Sequence, residues 1–286
     1  MTLIAHITDL HILAAERDIV SASDRWRLSL ASFGRRLDAK DRTMRLRRAL
    51  CAARASRADH VLITGDLTET GTPSQFETLA EELLGSGLDP ERVTLVPGNH
   101  DAYTRGDAFA QALEGPLRPY LRTSAPGAIV EAGDALIVPV CTAVYQPLVA
   151  RSGGTVGDGA LARLADLARS QRETRTVVAA QHHPPLPYPV PLVQWLHGLR
   201  GHRRYRDLLG RHANLHVLHG HTHRRQQYGC GPWRHSRIFS TTAVVSSDTP
   251  LRLYRANDGR VVPQDKLAPA PAPAWESIAQ PALEAT

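Results

Sequence analysis

The feature that most constrains this chain is a pattern that recurs five times: a short aliphatic and β-branched run followed at once by side chains able to bind metal. Val61-Leu62-Ile63-Thr64-Gly65-Asp66 shows it most plainly. About five such residues closed by a glycine read as a buried strand and its end. The same design returns in Ile4-Ala5-His6-Ile7-Thr8-Asp9-Leu10-His11 and in Val93-Thr94-Leu95-Val96-Pro97-Gly98-Asn99-His100-Asp101. It returns again in Thr176-Val177-Val178-Ala179-Ala180-Gln181-His182-His183-Pro184 and in Leu215-His216-Val217-Leu218-His219-Gly220-His221-Thr222-His223. Open α/β sheets bind ligands beyond the carboxyl ends of their strands, so these five ends are expected to converge on one edge.

The rest of the chain fits a single α/β unit. Its 286 residues can bury a sizeable core, and one domain over 1–266 is expected, with an Ala/Pro-rich tail over 267–286 that lacks the apolar bulk to pack. No apolar run approaches the roughly 18 residues of a membrane span. The N-terminus enters the Asp9 strand with no basic and then apolar leader, which points to the cytoplasm. Cys51, Cys141 and Cys230 are too few and too scattered for a disulfide framework or a thiolate metal site.

Between the strands, apolar spacing marks helices. Leu46, Ala49, Leu50 and Ala53 form one stripe over about Arg42–Ser56, and a second helix over Thr72–Leu84 has Pro73 at its start and Gly85 past its end. Leu161, Leu164 and Leu167 mark a third over Gly157–Ser170. Two apolar runs around Ala132-Gly133-Asp134 read as an antiparallel hairpin that begins a second sheet. Five prolines between Pro184 and Pro191 call for a stiff loop walling the site after His182. Short strands are expected over Arg237–Val245 and Leu251–Tyr254.

The net charge of +6 suits an anionic partner, and eleven Arg or Lys against two Asp fall between Arg25 and Arg57. That stretch belongs to a basic helical insertion over about 13–57. There Trp26, Leu30, Phe33 and Leu37 make one apolar stripe, with Arg25, Arg35, Arg36, Lys40 and Arg42 nearby. Two readings stand side by side: an interfacial helix meeting an anionic membrane at the inner face, or a stripe packed on the core under solvated arginines.

Collected, the strand ends supply Asp9, His11, Asp66, Asn99, His182, His221 and His223. Carboxylate, amide and imidazole groups suit Mn, Fe, Zn or Co. Seven ligands are too many for one ion. Two divalent or mixed-valence ions bridged by Asp66 would share them and hold a hydroxide for in-line attack on phosphorus.

In their order along the chain, Asp9-Leu10-His11, Gly65-Asp66, Gly98-Asn99-His100-Asp101, His182 and Gly220-His221-Thr222-His223 resemble the blocks of the calcineurin-like metallophosphoesterase superfamily, over about Met1–Val245. The resemblance implies a four-layer αββα sandwich with two mixed β-sheets and a dinuclear metal site at the strand ends. It implies that Asp9, His11 and His223 hold one metal, that Asn99, His182 and His221 hold the other, and that Asp66 bridges. His182 is preferred to His183 because the family's ligand usually stands two before a proline. His100 matches the family histidine that contacts phosphoryl oxygens or protonates the leaving group, and Asn99, His100 and His183 are expected to meet substrate. Asp101 is expected to receive loop hydrogen bonds. His6, His60, His197 and His235 are expected to be structural or exposed.

After Asp66 the chain reads Leu67-Thr68-Glu69-Thr70-Gly71, without the Asp-Arg-Gly of the protein Ser/Thr phosphatases. It is more similar to bacterial class III cyclic-nucleotide and glycerophosphodiester phosphodiesterases, from which it departs in the long Asp9–Asp66 interval. The expected activity is phosphodiester hydrolysis of a small phosphorylated molecule. The alternatives are a pyrophosphohydrolase of an amphiphilic nucleotide-sugar lipid such as UDP-diacylglucosamine, favoured by the insertion and the Leu186–Leu196 wall, and a non-catalytic scaffold or nucleic-acid-binding protein. With aromatic residues at 5% of the chain, stacking on nucleic acid is disfavoured.

Overall fold

The strand-forming runs assemble into two sheets packed face to face. The structure is a computed structural model and describes residues 1–14, 32, 35–104, 106–148, 150–171, 175–232 and 236–265. In the first sheet β1 (Thr2–Ile7), β2 (His60–Thr64) and β3 (Val93–Val96) run parallel, and the hairpin of β10 (Arg252–Asn257) and β11 (Arg260–Pro263) adds antiparallel to β1. The second sheet has the order β4-β5-β6-β7-β9-β8, with β4 at Val130–Ala132, β5 at Ala135–Pro139, β6 at Thr176–Ala180, β7 at Leu215–His219, β8 at Gln227–Gly229 and β9 at Ser236–Ser240. Strands β5, β6, β7 and β9 are parallel and β4 and β8 antiparallel, so both sheets are mixed.

The period-2 alternation of strand side chains builds three apolar layers from these sequences. Leu62 of β2 points between the sheets, where it joins Ile4, Val96, Val178, Leu218 and Phe239. Its neighbours Val61 and Ile63 point the other way, onto helices Ala39–Ala55, Pro73–Gly85 and Ala108–Glu114. On the far side Val177, Ala179, Leu215 and Val217 meet helices Asp158–Ser170 and His202–Arg211. The result is helix, sheet, sheet, helix.

Helix ends follow their local chemistry. The Asp38 carboxylate accepts from the Asp41 backbone N–H at 2.9 Å and caps the Ala39–Ala55 helix. Pro73 opens the next helix, where its missing N–H costs no hydrogen bond. After His182 the proline-rich segment is loop only as far as Val190, because Pro191 occupies the first turn of a short helix, Pro191–His197. Among the described residues no helix is long and apolar enough to cross a membrane. Residues 15–31, 33 and 34 of the basic insertion, Trp26, Leu30 and Phe33 among them, lie outside the described residues, as do His235 and all of 267–286.

Candidate metal centre

Each strand stops where its successor residues leave the extended conformation. Asp9, His11, Asp66, His221 and His223 all have left-handed φ, between 46° and 69°; among the described residues only Arg57 and Asp258 share this with a side chain other than glycine. Left-handed backbone costs on the order of 1 kcal/mol for a side-chain-bearing residue, and such conformations gather at functional sites. The turns are tied together by backbone bonds: Asp9 donates to Gly65 O at 3.1 Å, His11 to Asp66 O at 2.9 Å and Gly220 to His182 O at 3.1 Å. Two glycines permit this closeness. A Cβ on Gly98 would collide with Asp66 Oδ1, and one on Gly220 with Thr8 Oγ1.

The side chains converge in two groups. Asp9, His11, Asp66 and His223 bring ligand atoms within 4.8 Å of one another, and His182, His183 and His221 do the same. Asp66 faces both groups. Its Oδ2 lies 3.6 Å from His11 Nε2, and its Oδ1 lies 3.3 Å from His182 Nε2. Asn99 Oδ1 is 3.2 Å from the same His182 nitrogen, while its amide nitrogen donates to the Tyr103 hydroxyl at 3.4 Å. His223 Nε2 sits 3.4 Å from Asp9 Oδ1.

Hydrogen bonds fix which imidazole atom faces inward. His182 Nδ1 donates to Thr64 O at 2.9 Å, leaving Nε2 to face Asp66 and Asn99. His11 Nδ1 stands 3.3 Å from Glu69 Oε2, which leaves its Nε2 for the centre. Such outer partners set tautomer and ring orientation in metal sites. Burial pushes the His11 imidazole down to about 3, keeping it neutral despite Glu69. Burial also opposes charge on His182, but Asp66 and then Asp9 outweigh it and raise that ring to about 9. Asp66 itself is held well below the usual carboxylate range: burial works against ionisation, and His182 and His100 overcome it. A cation at the centre would therefore displace a proton.

These residues fit a pair of metal ions. Among the described residues, Asp9 Oδ2 and His11 Nε2 are buried without a hydrogen-bond partner, an arrangement that is costly unless something positive or proton-bearing meets them. All the inward atoms are carboxylate or amide oxygen or imidazole nitrogen, a donor set for borderline and hard divalent metals.

His183 behaves differently from the expectation of a substrate contact. It is fully buried, its Nε2 donates to Ser152 O at 2.8 Å, and its Nδ1 accepts from Thr142 Oγ1 at 2.8 Å. With both nitrogens engaged it ties the 142 and 152 segments behind the centre. Asp101 accepts from the backbone N–H groups of Leu67, Thr68 and Gly98 and from Thr68 Oγ1, pinning the Asp66 and Asn99 turns together.

Sequence reading overlooks Glu69 and Arg35 and misplaces Arg42. Glu69 is fully buried and accepts from Ser32 Oγ, from Arg35 Nη2 at 2.8 Å and from Arg42, while its backbone carbonyl accepts from His100 Nδ1 at 2.7 Å. Arg42 also donates to His11 O. One signal for it is present: Arg42 stands four residues before Leu46, at the head of the stripe that runs through Ala49, Leu50 and Ala53. It is not one of the solvated arginines, being 1% exposed.

The family model for calcineurin-like phosphoesterases matches residues 2–225. The fold is similar to that of a dimetal phosphatase from Danio rerio, with a TM-score of 0.63 at 14% identity over 92% of this chain and 95% of that one. It is also similar to TT1561 of Thermus thermophilus, with a TM-score of 0.51 at 12% identity over 92% and 98%. No curated protein matches the chain by sequence. Those two likenesses are of fold; the family model spans most of the chain, and the chain belongs to the calcineurin-like phosphoesterase family, metal-dependent hydrolases of phosphate esters.

Proposed function

We propose that the chain is a two-metal phosphodiesterase of a small phosphorylated molecule, with Asp9, His11 and His223 holding one ion, Asn99, His182 and His221 the other, and Asp66 between them. The observation that supports this most is the division of Asp66, one oxygen toward His11 and the other toward His182. The chemistry a bound ion pair supplies is neutralisation of phosphoryl charge and activation of water as nucleophile. The chain's own residues do the rest. His100 Nδ1 donates to Glu69 O, so its Nε2 is the nitrogen left to exchange a proton with the leaving oxygen. Arg35 Nη2 donates to that Nε2 at 3.4 Å, which sets a guanidinium beside the position a phosphoryl oxygen would take. The diester preference is supported by a cleft that opens beside His221 and leaves room for a second ester substituent.

The test is the metal-reconstituted protein on bis-p-nitrophenyl phosphate against p-nitrophenyl phosphate. A higher kcat/KM for the diester is expected; the reverse makes the chain a monoesterase, and no turnover of either with both metals bound rejects hydrolysis at this site. His100→Ala should lose about 10²–10⁴-fold in kcat and keep its metals. Metal loss in that variant would make His100 a ligand.

A further inference from the structure

Asn99 carries an ambiguity that the carboxylates and imidazoles of the centre lack. Its amide has an oxygen at one end and an NH2 group at the other, and only the oxygen has a lone pair to offer a cation. The end that faces the centre is Oδ1, 3.2 Å from His182 Nε2, and Asn99 is 2% exposed. Half-buried Tyr103 stands at the other end. From Asn99 (φ −66°, ψ −31°) to Tyr103 (φ −66°, ψ −37°) the chain makes one helical turn around His100–Ala102, so side chains four residues apart become neighbours. The Tyr103 hydroxyl accepts from Asn99 Nδ2 at 3.4 Å, the only hydrogen bond of that nitrogen among the described residues. The same phenol ring packs on His100 with centroids 4.5 Å apart and planes at 60°, and His100 in turn meets the His11 ring at 4.5 Å.

We propose that Tyr103 is a positioning residue for both parts of the site: its hydroxyl fixes the Asn99 amide with the oxygen inward, and its ring braces the His100 imidazole. The inference rests on the two-metal phosphodiesterase reading and adds a residue to it. Partners behind a metal ligand commonly set its orientation, and here the choice is between two chemically different ends. Removing the acceptor leaves a buried NH2 group unpaired, which is unfavourable, and frees the amide to turn its nitrogen toward the centre. A carboxylate at position 99 has an oxygen at each end and needs no such orienting partner. That difference separates an orienting role for Tyr103 from simple packing, which would matter equally to either side chain.

Calorimetric titration of the full chain with manganese tests this in a double-mutant cycle. Tyr103→Phe, which keeps the ring and removes the hydroxyl, should weaken one of the two binding steps by about 10–100-fold and leave the other unchanged, which also shows that the variant is folded. In the Asn99→Asp background the same substitution should cost less than about twofold, the scatter expected of independent sites. With both sites saturated, Tyr103→Ala, which removes the ring as well, should fall below Tyr103→Phe in kcat by about tenfold or more. Unchanged affinity in Tyr103→Phe, an equal cost in the Asn99→Asp background, or loss of both ions overturns the orienting role; equal kcat in the two Tyr103 variants overturns the brace on His100. The expected metal coupling with neither bis-p-nitrophenyl phosphate nor p-nitrophenyl phosphate hydrolysed would instead overturn the phosphodiesterase reading and leave Tyr103 as the partner that orients Asn99.

Discussion

Asp66 is the residue on which the centre turns, because a carboxylate can offer one oxygen to each of two cations and few other side chains can. Asp66→Asn replaces one of those oxygens with an N–H donor, and metal analysis should show at least one ion lost together with activity; two ions retained with normal turnover would end the bridging assignment. Glu69 acts one step further out. It orients His11 through Nδ1 and is itself held by Arg35 and Arg42. Glu69→Gln should weaken metal affinity by about 10–100-fold, the usual effect of losing an outer partner, with the His11 half-site emptied first in a chelator titration. Equal loss from both half-sites would argue against that route. Asp9, His11 and Asp66 could be picked out from sequence because carboxylate and imidazole right after an apolar run have few other uses. Glu69 and Arg35 could not, since their meeting is a three-dimensional fact and both types usually face water.

At the level of elements, the strands were legible because their apolar runs are buried on both faces, which requires continuous hydrophobicity. The strand over Leu251–Tyr254 is expected from the sequence but its hairpin partner β11 is not, although Asp258-Gly259, both with positive φ, is a standard two-residue turn signal. Arg252 is 2% exposed and finds Asp265 and backbone carbonyls. At the far end of β2 from Asp66, His60 Nε2 lies 2.8 Å from Thr94 Oγ1. Burial, helped by Arg92, lowers its imidazole from 6.5 to about 4. The unfolded chain then binds more protons between those values, so the stability contributed by neutral His60 is complete above pH 6.5 and is lost as pH falls toward about 4. Urea unfolding of the chelator-treated protein should show His60→Gln losing about 2 kcal/mol less than the wild type between about pH 7 and pH 5. Parallel losses would place the acid sensitivity elsewhere.

For the whole molecule, the centre lies across the seam between the sheets. Asp9, Asp66 and Asn99 come from the first sheet, His182, His221 and His223 from the second. Bound ions would link the two layers and neutralise two buried carboxylates at once. With free metal at about a thousand times Kd, stabilisation is about 4 kcal/mol, which for a chain of this size moves Tm by on the order of 10 °C. Differential scanning calorimetry with and without chelator should show that shift, and an unmoved Tm would mean no tight site forms in the folded state.

The sequence by itself determined most of the strands, the helices Ala39–Ala55, Pro73–Gly85 and Asp158–Ser170 and which residue types stand at the strand ends, because hydrophobic period and turn chemistry are local. It also carried the family resemblance. Only the tertiary structure decided that Asp66 offers a different oxygen to each group, that His183 is locked between Thr142 and Ser152 while His182 faces inward, and that Arg42 turns in to Glu69. These depend on which chain segments, far apart in sequence, arrive at the same few ångströms, and no spacing along one strand or helix encodes that arrival.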